Sequence, residues 1–395
     1  YYFLYLKTKI LIVTETPPGT PNGFGVTLDT LFRDLRKWAN VIYTDADFLP
    51  VGKKMGYLFA QVPNHRGRRH WLTFRAGRTP EWRGQYSEHW LRRTLSSICP
   101  DLVYSFVYSF TCLHFADWIA RKLGVPHLPH ITDHSSEFFA SSETKEILTR
   151  TPKRIVIGNN MREHYEKRLL GLDFEILHNG PEKEDFLSLP ALVKFHQGRP
   201  LRVCFIGGLF HHLHADGVED IIMAIQNLRR KGIPIVLDCY GARHPEDFLN
   251  ELFALPGIQH HGIVMPLEER RGLVHKSEVC LVPASFDVKQ SNNYMYSFPT
   301  KLTELLASSR PTLVYGPPGM EAVRFCQNEG VGTVINKRSI QVLENNLSDM
   351  VDNYPSHVAK AERDAEKIRL RHSAQAMRKR FHAIIEDCLF RKRAA

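Results

Sequence analysis

The chain has 395 residues, 43% of them hydrophobic and 24% charged, with 52 lysines and arginines against 42 aspartates and glutamates, a formal net charge of +10. That length exceeds one ordinary core and predicts two domains, and that composition excludes a disordered chain. No apolar run in this sequence approaches the ~18–20 residues that a spanning helix needs.

In chain order, short apolar runs alternate with longer amphipathic segments, the signature of α/β architecture with parallel strands. Tyr1 to Val13 is apolar but interrupted by Lys7 and Lys9. It reads as the approach to a first strand, Lys9–Thr14, and not as a signal peptide. Further strands are expected at Val41–Tyr43, Leu102–Ser105, His127–Ile131, Arg154–Ile157 and Glu175–Leu177. Helices are expected at Gly25–Trp38, Glu88–Ser97, Thr111–Leu123 and Met161–Leu170. Residues 44–87 are weakly periodic and basic and read as a long variable loop region. Pro181–Pro200 has mixed charge, proline at both ends and no clear period, as a linker does.

A second run repeats the layout. Its strands are expected at Arg202–Ile206, Ile235–Cys239, Gln259–Gly262, Val279–Val282, Thr312–Val314 and Gly332–Ile335. Its helices are expected at Gly217–Arg230, Pro245–Leu255, Pro266–Lys276, Pro299–Ser308 and Gly319–Asn328, and Leu343 to Leu389 reads as helix broken at Pro355. The expected fold class is α/β, with two Rossmann-like doubly wound parallel-sheet domains. Each domain then offers a crevice beyond the carboxyl ends of its strands, and if these face each other an interdomain cleft is the site. The boundaries read as 1–182 and 200–350, with C-terminal helices over 351–395.

The most informative segment is Ser297-Phe298-Pro299-Thr300-Lys301-Leu302-Thr303-Glu304-Leu305-Leu306-Ala307, followed by the apolar run Pro311 to Gly316. Pro299 suits the first turn of a helix, where its missing N–H costs nothing. Lys301 and Glu304, three apart, share one face, while Leu302, Leu305 and Leu306 cover the other. A helix N-terminus attracts anions, Lys301 adds a cation, and Glu304 offers an acceptor to hydroxyls one turn on. Phosphate plus sugar hydroxyls describes a nucleotide. The plainer alternative is a surface helix carrying an ordinary Lys/Glu pair.

This segment resembles the nucleotide-binding helix of GT-B glycosyltransferases, in the retaining group labelled glycosyltransferase family 4. Three other segments match that pattern in the same order: Ile176 to Gly180, Val203 to Gly208, and Gly217 to Ile225. Together they cover about residues 9–340. The resemblance implies transfer of a sugar from a nucleotide-diphosphate sugar, a UDP- or GDP-sugar, to a hydroxyl acceptor. It also implies retention at the anomeric carbon, and that the terminal helix crosses back onto the first domain. It requires no cofactor or metal ion. Glu304 takes the second position of the family's E-x7-E pattern, where it would hold the ribose. Tyr296 occupies the first position, as in a subgroup with F-P-x-K-x-x-E. The nucleotide contacts carried over are Phe298, Pro299, Thr300, Lys301 and Glu304.

The remaining site residues lie at strand-to-helix junctions. Gly23 and Gly25 permit positive φ and a close backbone approach; by resemblance they lie against the donor, although a plain tight turn is as good a reading. Asp133 and His134 follow a strand where the family places a polar pair facing the sugar, and the plainer role for Asp133 is to cap the next helix. Gly207 and Gly208 let a pyrophosphate approach backbone N–H groups. The family's Arg and Lys in this loop are missing, with His211, His212 and His214 in the region instead, so Lys301 or Arg243 is expected to supply the charge. By the same resemblance Tyr240 and Gly241 would form a turn near the base, Gly262-Ile263-Val264 the segment reading its edge, and Pro283 the end of a strand beside the donor, although each reads first as a structural turn. Asp133, His134 and Lys301 are the catalytic candidates: the first two to orient sugar or acceptor, Lys301 to stabilise the leaving diphosphate.

The positive charge clusters between Asn64 and Arg93 and again from Lys367 to Arg393. Such patches suit phosphates or an anionic membrane surface, or are solvated faces. A peripheral membrane contact is therefore one expectation, and a lipid-linked, glycan or small-molecule acceptor another. No zinc-finger, RNA-recognition or helix-turn-helix signature accompanies the charge, so nucleic acid ranks low. The seven cysteines are dispersed, which argues against a disulfide framework and for a reducing cytoplasm. The competing functions are a fold-preserving pseudoenzyme or nucleotide-sugar binding protein, and a nucleotide-sugar epimerase.

Overall fold

A computed structural model describes residues 8–20, 22–43, 58–61, 95–96, 98–108, 110–134, 141–183, 199–209, 211–242, 250–264, 267–287 and 294–394. The chain forms two compact units, one of Tyr1–Asn179 with Met377–Ala395, the other of Gly180–Ala376. Arg243 and the arginine-rich stretch from Asn64 to Arg93 lie outside the described residues, as do the side chains of His211 and His212 and most of the expected linker.

The first unit is built on a seven-stranded parallel sheet. Its strands are β1 (Ile10–Thr14), β2 (Ala39–Tyr43), β3 (Leu58–Gln61), β4 (Leu102–Val107), β5 (His127–Ile131), β6 (Ile155–Val156) and β7 (Glu175–Ile176), in the order β3-β2-β1-β4-β5-β6-β7. The helices are α1 (Gly23–Phe32), α2 (Phe110–Leu123), α3 (Ser142–Arg150) and α4 (Asn159–Arg168). β1 and β4 are buried along their whole length, as runs of apolar residues in a parallel sheet covered on both faces must be. Two elements depart from expectation. β3 falls inside the stretch read as loop: it is four residues long at the sheet edge, too short to show a period against its basic surroundings. α3 was not expected because its sequence is polar; Ser141 caps it by accepting from the Glu143 N–H, and only Thr144, Ile147 and Leu148 turn inward.

The second unit carries a six-stranded parallel sheet: β8 (Leu201–Ile206), β9 (Ile235–Tyr240), β10 (Ile258–His260), β11 (Val279–Pro283), β12 (Thr312–Tyr315) and β13 (Thr333–Ile335), in the order β10-β9-β8-β11-β12-β13. Its helices are α5 (His211–Arg230), α6 (Asn250–Phe253), α7 (Leu267–Lys276), α8 (Leu302–Ala307), α9 (Glu321–Glu329), α10 (Ile340–Asp352) and α11 (Tyr354–Arg371). Leu201, Val203, Ile221, Ile225, Ile235, Leu237, Val279, Leu313, Leu343 and Leu347 are fully buried in one core between α5, α10 and the sheet. The C-terminal segment is three helices. One break falls before Pro355, which sits in the first turn of α11 because it cannot continue α10. The other, at His372-Ser373, separates α11 from α12 (Ala374–Ala394) and carries no proline to announce it.

From Met377 onward α12 belongs to the first unit, where Phe381 is fully buried and sets its ring edge-on to Phe32 at 5.0 Å and Tyr104 at 5.3 Å. Gly180 explains its own identity: a Cβ there would lie 2.1 Å from the His372 carbonyl oxygen, and the Ala374 N–H donates to Pro181 next to it. No described helix is long and apolar enough to cross a membrane.

Candidate functional site

In the second unit the strand order reverses between β8 and β11, and ligands of doubly wound sheets bind beyond the strand ends at that switch point. β11 pairs with β8 as far as Leu281–Phe205 but with β12 as far as Pro283–Tyr315. Pro283, which has no N–H to give, occupies the part of β11 past the last β8 rung, and it is buried. The chain after β11 is fixed to α5: Ser285 N–H donates to the Leu213 carbonyl, and Phe286 N–H to the Asp216 carboxylate at 3.0 Å. A Cβ on Gly217 would lie 2.2 Å from the Ala284 oxygen, so the helix leans directly on this strand end.

After β8 the chain turns through Gly207 and Gly208, both half-buried. The Gly207 N–H donates to the Tyr240 carbonyl, Leu209 N–H to Ala242, and Gly241 N–H to Gly262, which ties the turns after β8, β9 and β10 together. Gly241 has φ 153°, and a Cβ on it would lie 1.7 Å from the Gly207 oxygen. Gly241→Ala is therefore expected to destabilise the second unit by about 1–3 kcal/mol through strain alone, read as a lower urea midpoint; an unchanged midpoint would mean the two turns move independently.

Lys301 reaches this place from α8. Its Nζ donates to the Ile206 carbonyl at 3.3 Å, at the last residue of β8. Burial, then the charge of Arg270, hold the ammonium below its usual range, with Glu304 pulling the other way. Leu302, Leu305 and Leu306 are buried in a helix that packs on α11, and Lys301 and Glu304 are half-buried. The helix itself starts at Leu302, not at Pro299: the Leu302 N–H bonds back to the Pro299 carbonyl, so Pro299 and Thr300 form a turn that precedes the helix. The ring of Phe298 is 4% exposed and sits edge-on to Phe325 at 5.1 Å, so that side chain is core. His214 is likewise turned inward, buried with its ring 5.6 Å from Phe205.

One strand over, Tyr240 stacks on His261 at 4.5 Å with rings 13° apart. His261 Nε2 bonds to the buried Asp238, whose other oxygen accepts from Arg202 at 2.7 Å. Burial, then Asp238, push the Tyr240 phenol up to about 12. Behind α5, Asp220 takes a bidentate bond from Arg338 and a third from the Tyr315 hydroxyl at 2.9 Å. This charge network anchors the helix that starts after the Gly207–Gly208 turn.

In the first unit the switch point lies between β1 and β4. Gly23 and Gly25 both lie in the first turn of α1, capped by Asn22, whose side chain accepts from Gly25 N–H at 2.8 Å. Neither has positive φ; in this loop that conformation falls on Gly19, at 79°. Gly25 is required for another reason: a Cβ there would lie 2.5 Å from the Thr20 oxygen. Phe24 stacks on Tyr108, the residue after β4, at 4.9 Å. After β5, Asp133 is half-buried, accepts from the His134 N–H at 3.0 Å, and has its pKa raised by burial. The next described helix is capped by Ser141 and not by Asp133. His134 is 8% exposed, its Nδ1 3.4 Å from the Tyr165 hydroxyl. Burial, then His164 and Arg168, push it down to about 4, so it is a neutral imidazole at pH 7.

The structure thus brings Gly207, Gly208, Gly241, Tyr240, Pro283 and Lys301 together at one strand edge, and Gly23, Gly25, Asp133 and His134 to strand ends of the other unit. Glu15, which the sequence reading did not single out, is buried directly after β1, and its charge helps raise the Cys112 thiol pKa after burial. Glu15 carried one usable signal, its position at a strand-to-helix junction. Among the described residues, no group of three or more His, Cys, Asp or Glu is placed to hold a metal ion.

No protein-family model matches the chain, and no characterised protein matches it by sequence. Solved structures do match its fold. HepE of Anabaena in complex with UDP has a TM-score of 0.72 at 11% identity, covering 96% of this chain and 100% of that one. The same protein in complex with UDP-glucose scores 0.69 at 12% identity, covering 96% and 99%. A glycosyltransferase from Rickettsia africae scores 0.66 at 13% identity, covering 97% and 99%. WaaG, a glycosyltransferase involved in lipopolysaccharide biosynthesis, scores 0.60 at 14% identity, covering 95% and 99%. At such identities the likeness is one of fold, and the fold is GT-B.

Proposed function

We propose that the chain is a glycosyltransferase that moves a sugar from a nucleoside-diphosphate sugar to a hydroxyl acceptor. The observation that carries this reading is the Lys301 ammonium held at the end of β8, beside the Gly207–Gly208 turn at the switch point. When the anomeric carbon–oxygen bond breaks, negative charge develops on the departing diphosphate. A cation and backbone N–H dipoles already in place stabilise it without reorganising. In this proposal they meet the leaving group without a metal ion. HepE was solved with UDP and with UDP-glucose, which supports a uridine nucleotide as the first donor to try, with a GDP-sugar as the other candidate.

The second domain is assigned the donor and the first the acceptor. Asp133 and the neutral His134 would orient the transferred sugar or the acceptor hydroxyl, and transfer would retain the anomeric configuration. The acceptor would be a glycan, a lipid carrier or a small molecule. The reading is tested by melting the full chain with UDP, GDP and their nucleosides. A ligand at 100 times its Kd stabilises by about 2.7 kcal/mol, and no shift with any nucleoside diphosphate would overturn the proposal. Product formation from UDP-glucose is then followed by mass spectrometry. Glu304, one turn beyond Lys301, is assigned the ribose hydroxyls. Glu304→Ala is expected to weaken both UDP and uridine by about 1–3 kcal/mol; equal affinity in wild type and variant would remove Glu304 from the site.

A further inference from the structure

A diphosphate carries more negative charge than one lysine neutralises, yet residues 207–217 contain neither lysine nor arginine. A second cation comes from a distant part of the chain. α7 packs against β8, the strand whose last carbonyl Lys301 bonds, and the charge of Arg270 is one of the causes that lower the Lys301 pKa. Arg270 is half-buried, and its Nε is buried with no hydrogen-bond partner among the described residues. A buried donor without an acceptor is costly, and so are two cations within each other's field. An anion between them relieves both costs.

We propose that Arg270 is the second cation of the diphosphate seat, its guanidinium binding phosphate oxygens opposite Lys301. The proposal rests on the donor-binding reading above and adds a residue to it. The division of labour follows from the side chains: the planar guanidinium can hold two phosphate oxygens at once, and the lysine acts as a point charge. In sequence Arg270 belongs to Leu267-Glu268-Glu269-Arg270-Arg271, which reads as an ordinary solvated helix face.

The test is calorimetric titration of the full chain with UDP, uridine and inorganic pyrophosphate. Arg270→Ala is expected to weaken UDP and pyrophosphate by about 10–100-fold and to leave uridine within about twofold, while Arg270→Lys restores part of the loss. If Arg270→Ala melts early without ligand, Arg270→Gln keeps the stem and polar end without the charge, and the same UDP-to-uridine ratio is read. Unchanged UDP affinity in either neutral variant, or an equal loss for UDP and uridine, overturns the role of Arg270 and leaves the transferase reading standing. A wild-type chain that binds pyrophosphate but no nucleoside diphosphate overturns the donor reading instead. A wild-type chain that binds neither overturns both.

Discussion

Lys301→Ala is expected to weaken UDP binding by about 10–100-fold, the range of a hydrogen bond to a charged group, and to slow sugar transfer by about 10²–10³-fold. The two numbers differ because the lysine meets more charge at the transition state than in the bound donor. As the sugar departs, the diphosphate gains negative charge within reach of a half-buried ammonium, where water screens the interaction little. Uridine, which has no phosphate, should bind wild type and variant alike. The variant should also fold, because Lys301 caps nothing with its side chain and donates one 3.3 Å bond to a strand-end carbonyl. Single-turnover transfer from UDP-glucose, together with UDP and uridine titrations, separates the effects. If uridine is lost in parallel with UDP, Lys301 supports the structure of the turn and does not act on the phosphate.

Acid is expected to unfold the first unit well before ordinary carboxylates titrate. His130 is fully buried in β5. Its Nδ1 accepts from the Tyr104 hydroxyl at 2.7 Å, and its Nε2–H then donates to the Leu177 carbonyl at 3.0 Å. His127, on the same strand, pairs Nε2 with Ser105 Oγ at 2.7 Å. Burial is the largest cause that pushes His130 down to about 3 and His127 down to about 4. An unfolded histidine titrates near 6.5. Between about pH 6.5 and pH 4 the unfolded chain therefore binds protons that the folded chain refuses, and stability falls as pH falls. Above pH 6.5 both states are neutral and the effect vanishes. At pH 5 each histidine contributes a loss of about 2 kcal/mol, and the pair about 4 kcal/mol. Residues 180–376 contain no tryptophan, while Trp38 and Trp118 lie in the first unit, so tryptophan fluorescence follows that unit's unfolding and not the second's. Urea midpoints that stay level from pH 7.5 to pH 5 would show that these imidazoles are not buried as described.

Much of the architecture was legible in the sequence, because strands and helices declare themselves locally. Val203 to Ile206 and Leu313 to Val314 are apolar runs that only a covered parallel strand requires, and they became β8 and β12. The glycines at 207, 208, 241 and 180 punctuate the chain where backbone meets backbone. The misses are equally local in origin. β3 is four residues long, α3 is polar, and the helix after Pro299 begins one turn late because a hydrogen-bonded turn intervenes.

The periodicity and punctuation of residues 9–371 sufficed for two parallel α/β sheets, and Lys301 with Glu304 could be named because they sit three apart on one short helix. No spacing rule joins Arg270 to Lys301, Tyr240 to His261, or Asp220 to Arg338, which lie 31, 21 and 118 residues apart. Those partnerships depend on which strands become neighbours and where each ends. β8 lies between β9 and β11, so residues from β9, α7 and α8 converge at one edge. Strand order is settled by long-range burial of side chains, and that energy belongs to the folded sheet, not to any local stretch of the chain.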